Sequence, residues 1–112
     1  MRQQASANWS AAARYWRAGA YWEVHEVLEP AWRAAVGPEK LFVQGLILAA
    51  AALHAGRLGH ARGAAANLEK ARRKWERLGE SWRGVRLQAF LDDVAAALAG
   101  APAPDWPRLT PP

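Results

Sequence analysis

The stretch that decides the fold is Leu41-Phe-Val-Gln-Gly-Leu-Ile-Leu-Ala-Ala-Ala-Ala-Leu-His-Ala55, which is apolar on almost every side. Gln44 interrupts it, and the run is shorter than the roughly 20 apolar residues that a membrane helix needs. Pro38, just before it, suits the first turn of a helix. A helix that is apolar nearly all round must be enclosed by other parts of the protein. The sequence therefore predicts a buried central helix over residues 38–55.

Four further helices are predicted around this central one. Each shows apolar side chains at helical spacing, and no segment alternates with the period of a β-strand. Their ranges are 8–18, 20–35, 60–78 and 87–99. We therefore predict an all-α, compact bundle of about five helices without strands, forming one domain over residues 1–100. The proline-rich residues 101–112 are expected to form an extended or disordered tail, with Trp106 as an anchor onto the bundle.

Composition limits the chemistry that the chain can perform. Its 112 residues suffice for one hydrophobic core without covalent crosslinks. The chain has no cysteine, which excludes a disulfide framework, a thiolate zinc site and a cysteine nucleophile. The first residues lack the apolar run of a signal peptide. We therefore expect a cytoplasmic protein that does not bind membranes.

The positive charge of this basic protein is concentrated in one region. The net charge is +5, and residues 57–86 hold nine Lys or Arg against three Glu. Within the fourth predicted helix, Lys70, Arg73, Lys74 and Arg77 follow the spacing of a single ridge. Such a ridge can bind anions, RNA or DNA, and it can also be an ordinary solvated face. Nucleic acid is therefore a partner that the sequence allows without favouring it.

The second predicted helix carries the chemically most informative motif. It reads Trp22-Glu-Val-His-Glu-Val-Leu-Glu-Pro-Ala-Trp32 and contains an HExxE motif formed by His25, Glu26 and Glu29. At 100° per residue, His25 and Glu29 border the apolar arc of this helix, and Glu26 lies further out. Most of the seven tryptophans lie on apolar stripes. Trp22, in contrast, lies on the polar side of its helix, where it could form the aromatic wall of a ligand site.

The central helix supplies polar partners for this motif. Gln44 and His54 are its only polar side chains after Lys40. Gly45, Ala49 and Ala52 form a small-residue face, which we expect to lie against the second helix. The sequence thus predicts a polar pocket between helices 2 and 3. Its candidate residues are Trp22, His25, Glu26, Glu29, Trp32, Gln44 and His54.

Several interpretations of this pocket remain open. The polar groups can form a buried hydrogen-bond network that fixes the register of the helices. They can bind a small ligand or a protein partner, including a second copy of the chain. They can also bind a divalent metal through His25, Glu29 and His54, or support a metal-dependent hydrolase that uses His25, Glu26 and Glu29. No further metal-ligand motif, phosphate-binding loop or serine triad accompanies them, so we expect binding rather than catalysis.

These motifs resemble a known family of bacterial and archaeal proteins. The order Trp-Glu-Val-His-Glu-Val-Leu-Glu, Trp32, Gln44-Gly-Leu-Ile-Leu-Ala-Ala-Ala-Ala-Leu-His and Gly63-Ala-Ala is similar to that of the family catalogued as domain of unknown function 309. The likeness extends over about residues 19–98 and includes Gly84. The family typically has phenylalanine in place of Trp22 and asparagine in place of His60. The resemblance implies a compact all-helical domain without an assigned activity.

Overall fold

The part of the chain that the structure describes contains five helices, as the sequence predicts. The computed structural model describes residues 2–111, with side chains from residue 9 onward. In chain order, the elements are α1 (Arg2–Arg17), α2 (Tyr21–Ala34), α3 (Gly37–Arg57), α4 (Ala61–Glu76), β1 (Ser81–Trp82), β2 (Val85–Arg86) and α5 (Leu87–Leu98). The predicted all-α class is confirmed. The first helix begins earlier than predicted, because the alanines and glutamines before Asn8 are compatible with a helix and contain no breaker.

The helix α3 is the centre of the bundle. It packs against α4, α2 and α5, while α1 packs against α2. Phe42, Leu46 and Ala49 on α3 are completely buried. None of the helices in the described part of the chain is long and apolar enough to cross a membrane.

Gly45, on the small-residue face of α3, lies against α4, where the sequence prediction had placed α2. At Gly45, an added Cβ would lie 1.9 Å from the indole nitrogen of Trp75 on α4. Trp75 is fully buried there, and its Nε1 donates a hydrogen bond to the carbonyl of Phe42 at 3.1 Å. A side chain larger than hydrogen at position 45 would displace the indole. Gly45 thus lets the largest side chain of α4 reach the backbone of α3.

A short β-hairpin joins α4 to α5, where the sequence prediction had no strand. Ser81 pairs with Arg86 and Trp82 with Val85 in an antiparallel register. Arg83 and Gly84, at the turn, have φ angles of 49° and 80°. Positive φ at both turn residues matches the twist of a two-residue hairpin, and glycine adopts it without strain. Strands of two residues are too short to produce the alternation by which strands are recognised.

After α5, residues 99–111 lie across the bundle without forming a helix or strand. Trp106 is 7% exposed and packs against Trp16 of α1, with ring centroids 5.5 Å apart. The Nε1 of Trp16 donates to the carbonyl of Pro104 at 2.7 Å. Further along, the backbone N–H of Thr110 donates to the carbonyl of Arg83 at 2.8 Å. The tail therefore connects α1 to the hairpin.

Titration of the exposed carboxyl of Asp105 is expected to affect how firmly the tail is held. The Arg17 guanidinium donates to this carboxylate, and the backbone N–H of Trp106 donates to it as well. Both hydrogen bonds hold the pKa of Asp105 below its ordinary value of 3.8. Because the pKa of this carboxyl is lower in the folded than in the unfolded state, its ionisation stabilises the fold. This contribution is fully present above the unfolded-state pKa and is lost as the pH falls through the lower, folded-state pKa.

The Asp105→Asn variant should therefore lose a small part of the acid sensitivity of the wild type. The measurement is the thermal midpoint of both proteins across the acid range, together with an NMR titration of Asp105. A pKa at or above the ordinary value would contradict the two hydrogen bonds.

Candidate functional site

An exposed aromatic cluster lies where the start of α2 meets the end of α3. Trp22 is 50% exposed, and its ring lies 5.0 Å from the ring of His25 and 5.6 Å from the ring of His54. Leu58, just after α3, is 57% exposed and lines the same groove as Trp22 and His54. We call Trp22, His54 and Leu58 the Trp22 patch. Two of its three side chains are therefore large apolar groups that remain open to solvent.

Two acidic residues of α2 lie beside Trp22. Glu23 lines the groove beside Trp22, and Glu26 lies one helical turn further along. Glu23 and Glu26 are both exposed, and neither forms an ion pair with a side chain of residues 9–111. Arg57 also lines the groove, but its guanidinium lies over the ring of Tyr21 and donates to the carbonyl of Gly19 at 2.8 Å. Arg57 keeps its positive charge, but Glu23 and Glu26 together outweigh it, so the net charge beside Trp22 is negative.

His25 and Glu29 are partly buried, at the border of the apolar face where the sequence placed them. Their side chains are 31% and 38% exposed, and the His25 Nε2 lies 3.8 Å from a Glu29 oxygen. That separation is too long for a hydrogen bond. Arg33 donates to the other oxygen of Glu29. Glu29 thus pairs more closely with Arg33 than with His25.

The predicted hydrogen-bonded contact between these residues and α3 is absent among the side chains that the structure describes. No hydrogen bond joins His25 or Glu29 to Gln44 or His54, and no described polar residue is fully buried. The ring of Trp22 instead contacts both histidines. Here the contact between α2 and α3 is made by the ring of Trp22 and not by a direct side-chain hydrogen bond between these residues.

The three suggested metal ligands do not form a ligand group. Within residues 9–111, no three His, Asp or Glu side chains converge closely enough to hold an ion. His25 and Glu29 lie together, whereas His54 contacts the ring of Trp22. The arrangement provides two donors at most, fewer than the three protein ligands typical of a catalytic zinc site.

Gln44 lies in a different groove, which corrects its place in the predicted pocket. Gln44 is one side wall of a cavity of about 580 Å³ between the beginning of α3, the end of α4 and β1. Its other principal walls are Lys40, Leu41, Arg77, Leu78 and Trp82. We call this the Lys40–Arg77 groove. Gln44 thus lies beside the residues that follow α4, and not in the contact between α2 and α3.

Trp32 marks the other end of the contact between α2 and α3. Its indole is partly buried, and the Lys40 ammonium lies 4.5 Å from the ring centroid. The Trp32 Nε1 is buried and has no hydrogen-bond partner in the described part of the chain. Trp22 and Trp32 thus contact α3 near its two ends, Trp22 at His54 and Trp32 at Lys40.

The basic ridge of α4 does not present four equivalent cations. Arg73 pairs with Glu69 at 3.2 Å, and Lys74 is partly buried. Lys70 is exposed, and Arg77 lines the Lys40–Arg77 groove. The nearby Arg72 pairs with Asp92 of α5 at 2.9 Å. Part of the positive charge in this region therefore stabilises the contact between α4 and α5.

Sequence reasoning missed five residues of these two sites. They are Leu58 of the Trp22 patch, and Lys40, Leu41, Leu78 and Trp82 of the Lys40–Arg77 groove. The sequence feature that could have identified Leu58 is its position, since it is a large apolar residue directly after the last turn of α3. Lys40 and Gln44 are four residues apart on α3, so they share a helix face, but only the tertiary structure brings Arg77 and Trp82 beside them.

Comparison with known proteins agrees with the fold and the family resemblance. The family model described as "Domain of unknown function (DUF309)" matches residues 9–67. A crystal structure of a conserved hypothetical protein, TTHA0068 from Thermus thermophilus, is 43% identical in sequence, with a TM-score of 0.69. The match covers 82% of this chain and 96% of that one. No curated protein matches.

The matched segment contains both the HExxE motif of α2 and the central helix α3. It covers more than half of the chain, and the likeness to the Thermus protein extends over most of its length. The chain therefore belongs to the DUF309 family.

Proposed function

We propose that this protein is an interaction module and that its docking surface is the Trp22 patch. The partner is a protein segment that places an apolar side chain against Trp22 and Leu58, next to a Lys or Arg that faces Glu23 and Glu26. The observation that carries the proposal is the half-exposed indole of Trp22, held by two histidines on neighbouring helices.

The first support is the energetic character of tryptophan at interfaces. A tryptophan offers a large apolar area with few rotatable bonds, so it loses little conformational entropy on binding. Its ring contacts with His25 and His54 hold it on the helices α2 and α3. Leu58 adds a second apolar group in the same groove. This combination is typical of the central anchor of a binding surface.

The second support is electrostatic. Glu23 and Glu26 reach solvent beside Trp22 and form no ion pair among the described side chains. Arg57, the basic residue in the groove, interacts with Tyr21 and Gly19. A basic partner residue would find complementary charge here and could also lie over the indole. The surface therefore favours a basic apolar segment over an acidic one.

Binding is also better supported than catalysis at this surface. His25 is not hydrogen-bonded to an orienting carboxylate, since Glu29 is 3.8 Å away and pairs with Arg33. The described contacts of His25 include no Ser, Thr or Lys that could act as a nucleophile. A metal-dependent hydrolysis lacks its third ligand among residues 9–111. These arrangements support an enzyme less well than they support a docking site.

Selection from a random peptide display library tests the proposal. The wild-type protein should enrich peptides that combine an apolar residue with a neighbouring Lys or Arg, because only such peptides match both parts of the surface. The enriched peptides should lose binding to the Trp22→Ala variant. The matched control is Val36→Ala, which removes an apolar side chain that is 82% exposed beyond the opposite end of α2.

The Val36→Ala control should bind the enriched peptides as the wild type does. Enrichment of acidic peptides, failure to enrich any class, or equal binding to the Trp22→Ala variant would refute the proposal. Thermal melting of each variant checks that the fold is intact, because Trp22 and Val36 both contribute little to the core.

A further inference from the structure

The Lys40–Arg77 groove has the features of a second binding site, independent of the Trp22 patch. Leu41, Leu78 and Trp82 provide apolar walls, while Lys40, Gln44 and Arg77 provide polar groups. Small-molecule sites typically combine an apolar lining with a few polar groups that fix the orientation of the ligand. The cavity of about 580 Å³ is within the size range of such sites.

The charge in this groove is positive and is not compensated by the protein. Lys40 and Arg77 both line it, and no carboxylate does so among the described residues. Within residues 9–111, neither cation has an Asp or Glu oxygen within ion-pair distance. An anion bound in the groove would be attracted by both side chains. The groove thus favours an anionic ligand.

The neighbouring acidic residue Glu39 is already engaged elsewhere. It accepts a hydrogen bond from the Trp82 Nε1 at 2.9 Å and from Arg83 at 2.8 Å. Arg83 is only 11% exposed, so this ion pair is well shielded from water. The pair neutralises Glu39 and at the same time fixes the indole of Trp82 as a wall. Lys40 is held in turn by its position over the ring of Trp32.

We infer that the Lys40–Arg77 groove binds a small organic phosphate monoester. The dianionic phosphate would lie between the Lys40 ammonium and the Arg77 guanidinium, whose planar array of donors suits phosphate oxygens. The Gln44 amide supplies a further donor. The organic part of the ligand would contact Leu41, Leu78 and Trp82. A carboxylate carries one charge and would satisfy only one of the two cations.

This inference does not depend on the proposed docking function. Lys40 and Gln44 lie in the first turns of α3, whereas His54 and Leu58 lie at its other end. The separation along the helix from residue 40 to residue 58 is about 27 Å at roughly 1.5 Å per residue. Substitutions in one site should therefore leave binding at the other unchanged, and the two proposals can fail separately.

An NMR titration with phenyl phosphate tests the inference. In a ¹⁵N-labelled sample, phenyl phosphate should shift the signal of the Trp82 indole N–H and the amide signals of the first turn of α3. Inorganic phosphate should shift the same signals more weakly, because it lacks the apolar part. Phenol should leave them unchanged at the same concentrations, because it lacks the charge.

Matched charge variants identify the residues that bind the phosphate. Lys40→Gln and Arg77→Gln should each weaken phenyl phosphate binding by at least about tenfold, because a charge-assisted contact is lost. Lys70→Gln removes the same charge from an exposed position on α4 and should change the affinity by less than about twofold. Assigned spectra and thermal midpoints that match the wild type show that each variant is folded.

Three outcomes would overturn the inference. Phenol could bind as well as phenyl phosphate, Lys70→Gln could weaken binding as much as Arg77→Gln, or no shifts could appear in this groove.

An oligothymidylate without a terminal phosphate serves as a separate comparison. If it bound more tightly than phenyl phosphate and lost affinity in Lys70→Gln, the phosphate-binding surface would be the exposed ridge for nucleic acid, and the groove would not be the site.

Discussion

Replacement of Trp75 by alanine is expected to lower the free energy of unfolding by about 3 to 5 kcal/mol, as truncations of buried tryptophans do. Trp75 is fully buried between the central helix and α5. Its ring stacks on Phe42 with centroids 5.5 Å apart and lies 5.9 Å from Phe90. The substitution would also leave the carbonyl of Phe42 without the hydrogen bond that it accepts from the indole.

Urea denaturation followed by far-ultraviolet circular dichroism measures this change, and Gly45→Ala provides an internal check. In the wild type, the added Cβ would overlap the indole of Trp75, so Gly45→Ala should cost about 1 to 3 kcal/mol. In the Trp75→Ala background the obstacle is gone, and the same substitution should cost much less. Strictly additive effects would contradict the close contact between these two residues.

Replacement of Trp16 by alanine is expected to destabilise the protein by a similar amount, about 3 to 5 kcal/mol. Trp16 is 2% exposed and packs against Tyr21 of α2, Phe90 of α5 and Trp106 of the tail. Its Nε1 also donates to the carbonyl of Pro104. One side chain thus joins two helices and the tail to α1, so its removal should loosen the tail as well as the core.

Hydrogen exchange and urea denaturation separate these two effects. In Trp16→Ala, the hydrogen-bonded backbone N–H groups of Trp106 and Thr110 should exchange faster than the global loss of stability explains. The matched control is Tyr15→Ala on the same helix, where the side chain is 39% exposed. It should change stability by less than about 1 kcal/mol, as surface substitutions do. Unchanged tail exchange in Trp16→Ala would show that Trp16 does not anchor the tail.

The helices could be predicted from local signals. Gly19, Gly79 and Gly100 follow α1, α4 and α5 closely, and Gly37 with Pro38 starts α3. Such residues mark helix ends because of their own backbone preferences, which do not depend on the neighbours in space. The central place of α3 followed from its continuous apolar surface. These features explain why the all-α fold could be deduced without a structure.

The partners of α3 could not be deduced in the same way. A helix that is apolar all round does not indicate which neighbour each side faces, so Gly45 and Gln44 were placed against α2, whereas Gly45 lies against α4 and Gln44 lies beside the residues that follow α4. The border position of His25 and Glu29 could be read from the sequence, because the apolar stripe of α2 is one-sided. The Arg83-Gly84 turn was missed, since turns of this kind more often carry Asn or Asp before the glycine.

The docking proposal predicts that the two acidic residues beside Trp22 determine which peptides bind. If Glu23 and Glu26 select basic partners, reversal of their charge should invert the selection without altering the apolar contact. Neither residue is buried, so Glu23→Lys and Glu26→Lys should not disturb the core. The charge of the docking surface can therefore be changed while Trp22 and Leu58 remain in place.

The most direct test of the central claim is a charge-exchange binding measurement by isothermal titration calorimetry. A peptide selected on the wild type is compared with the same peptide carrying Glu at its Lys and Arg positions. The account predicts that the Glu23→Lys, Glu26→Lys double variant binds the original peptide at least about tenfold more weakly, a difference of roughly 1.4 kcal/mol, and recovers affinity for the exchanged peptide. Equal affinity of both proteins for the original peptide, or no recovery with the exchanged one, would contradict it.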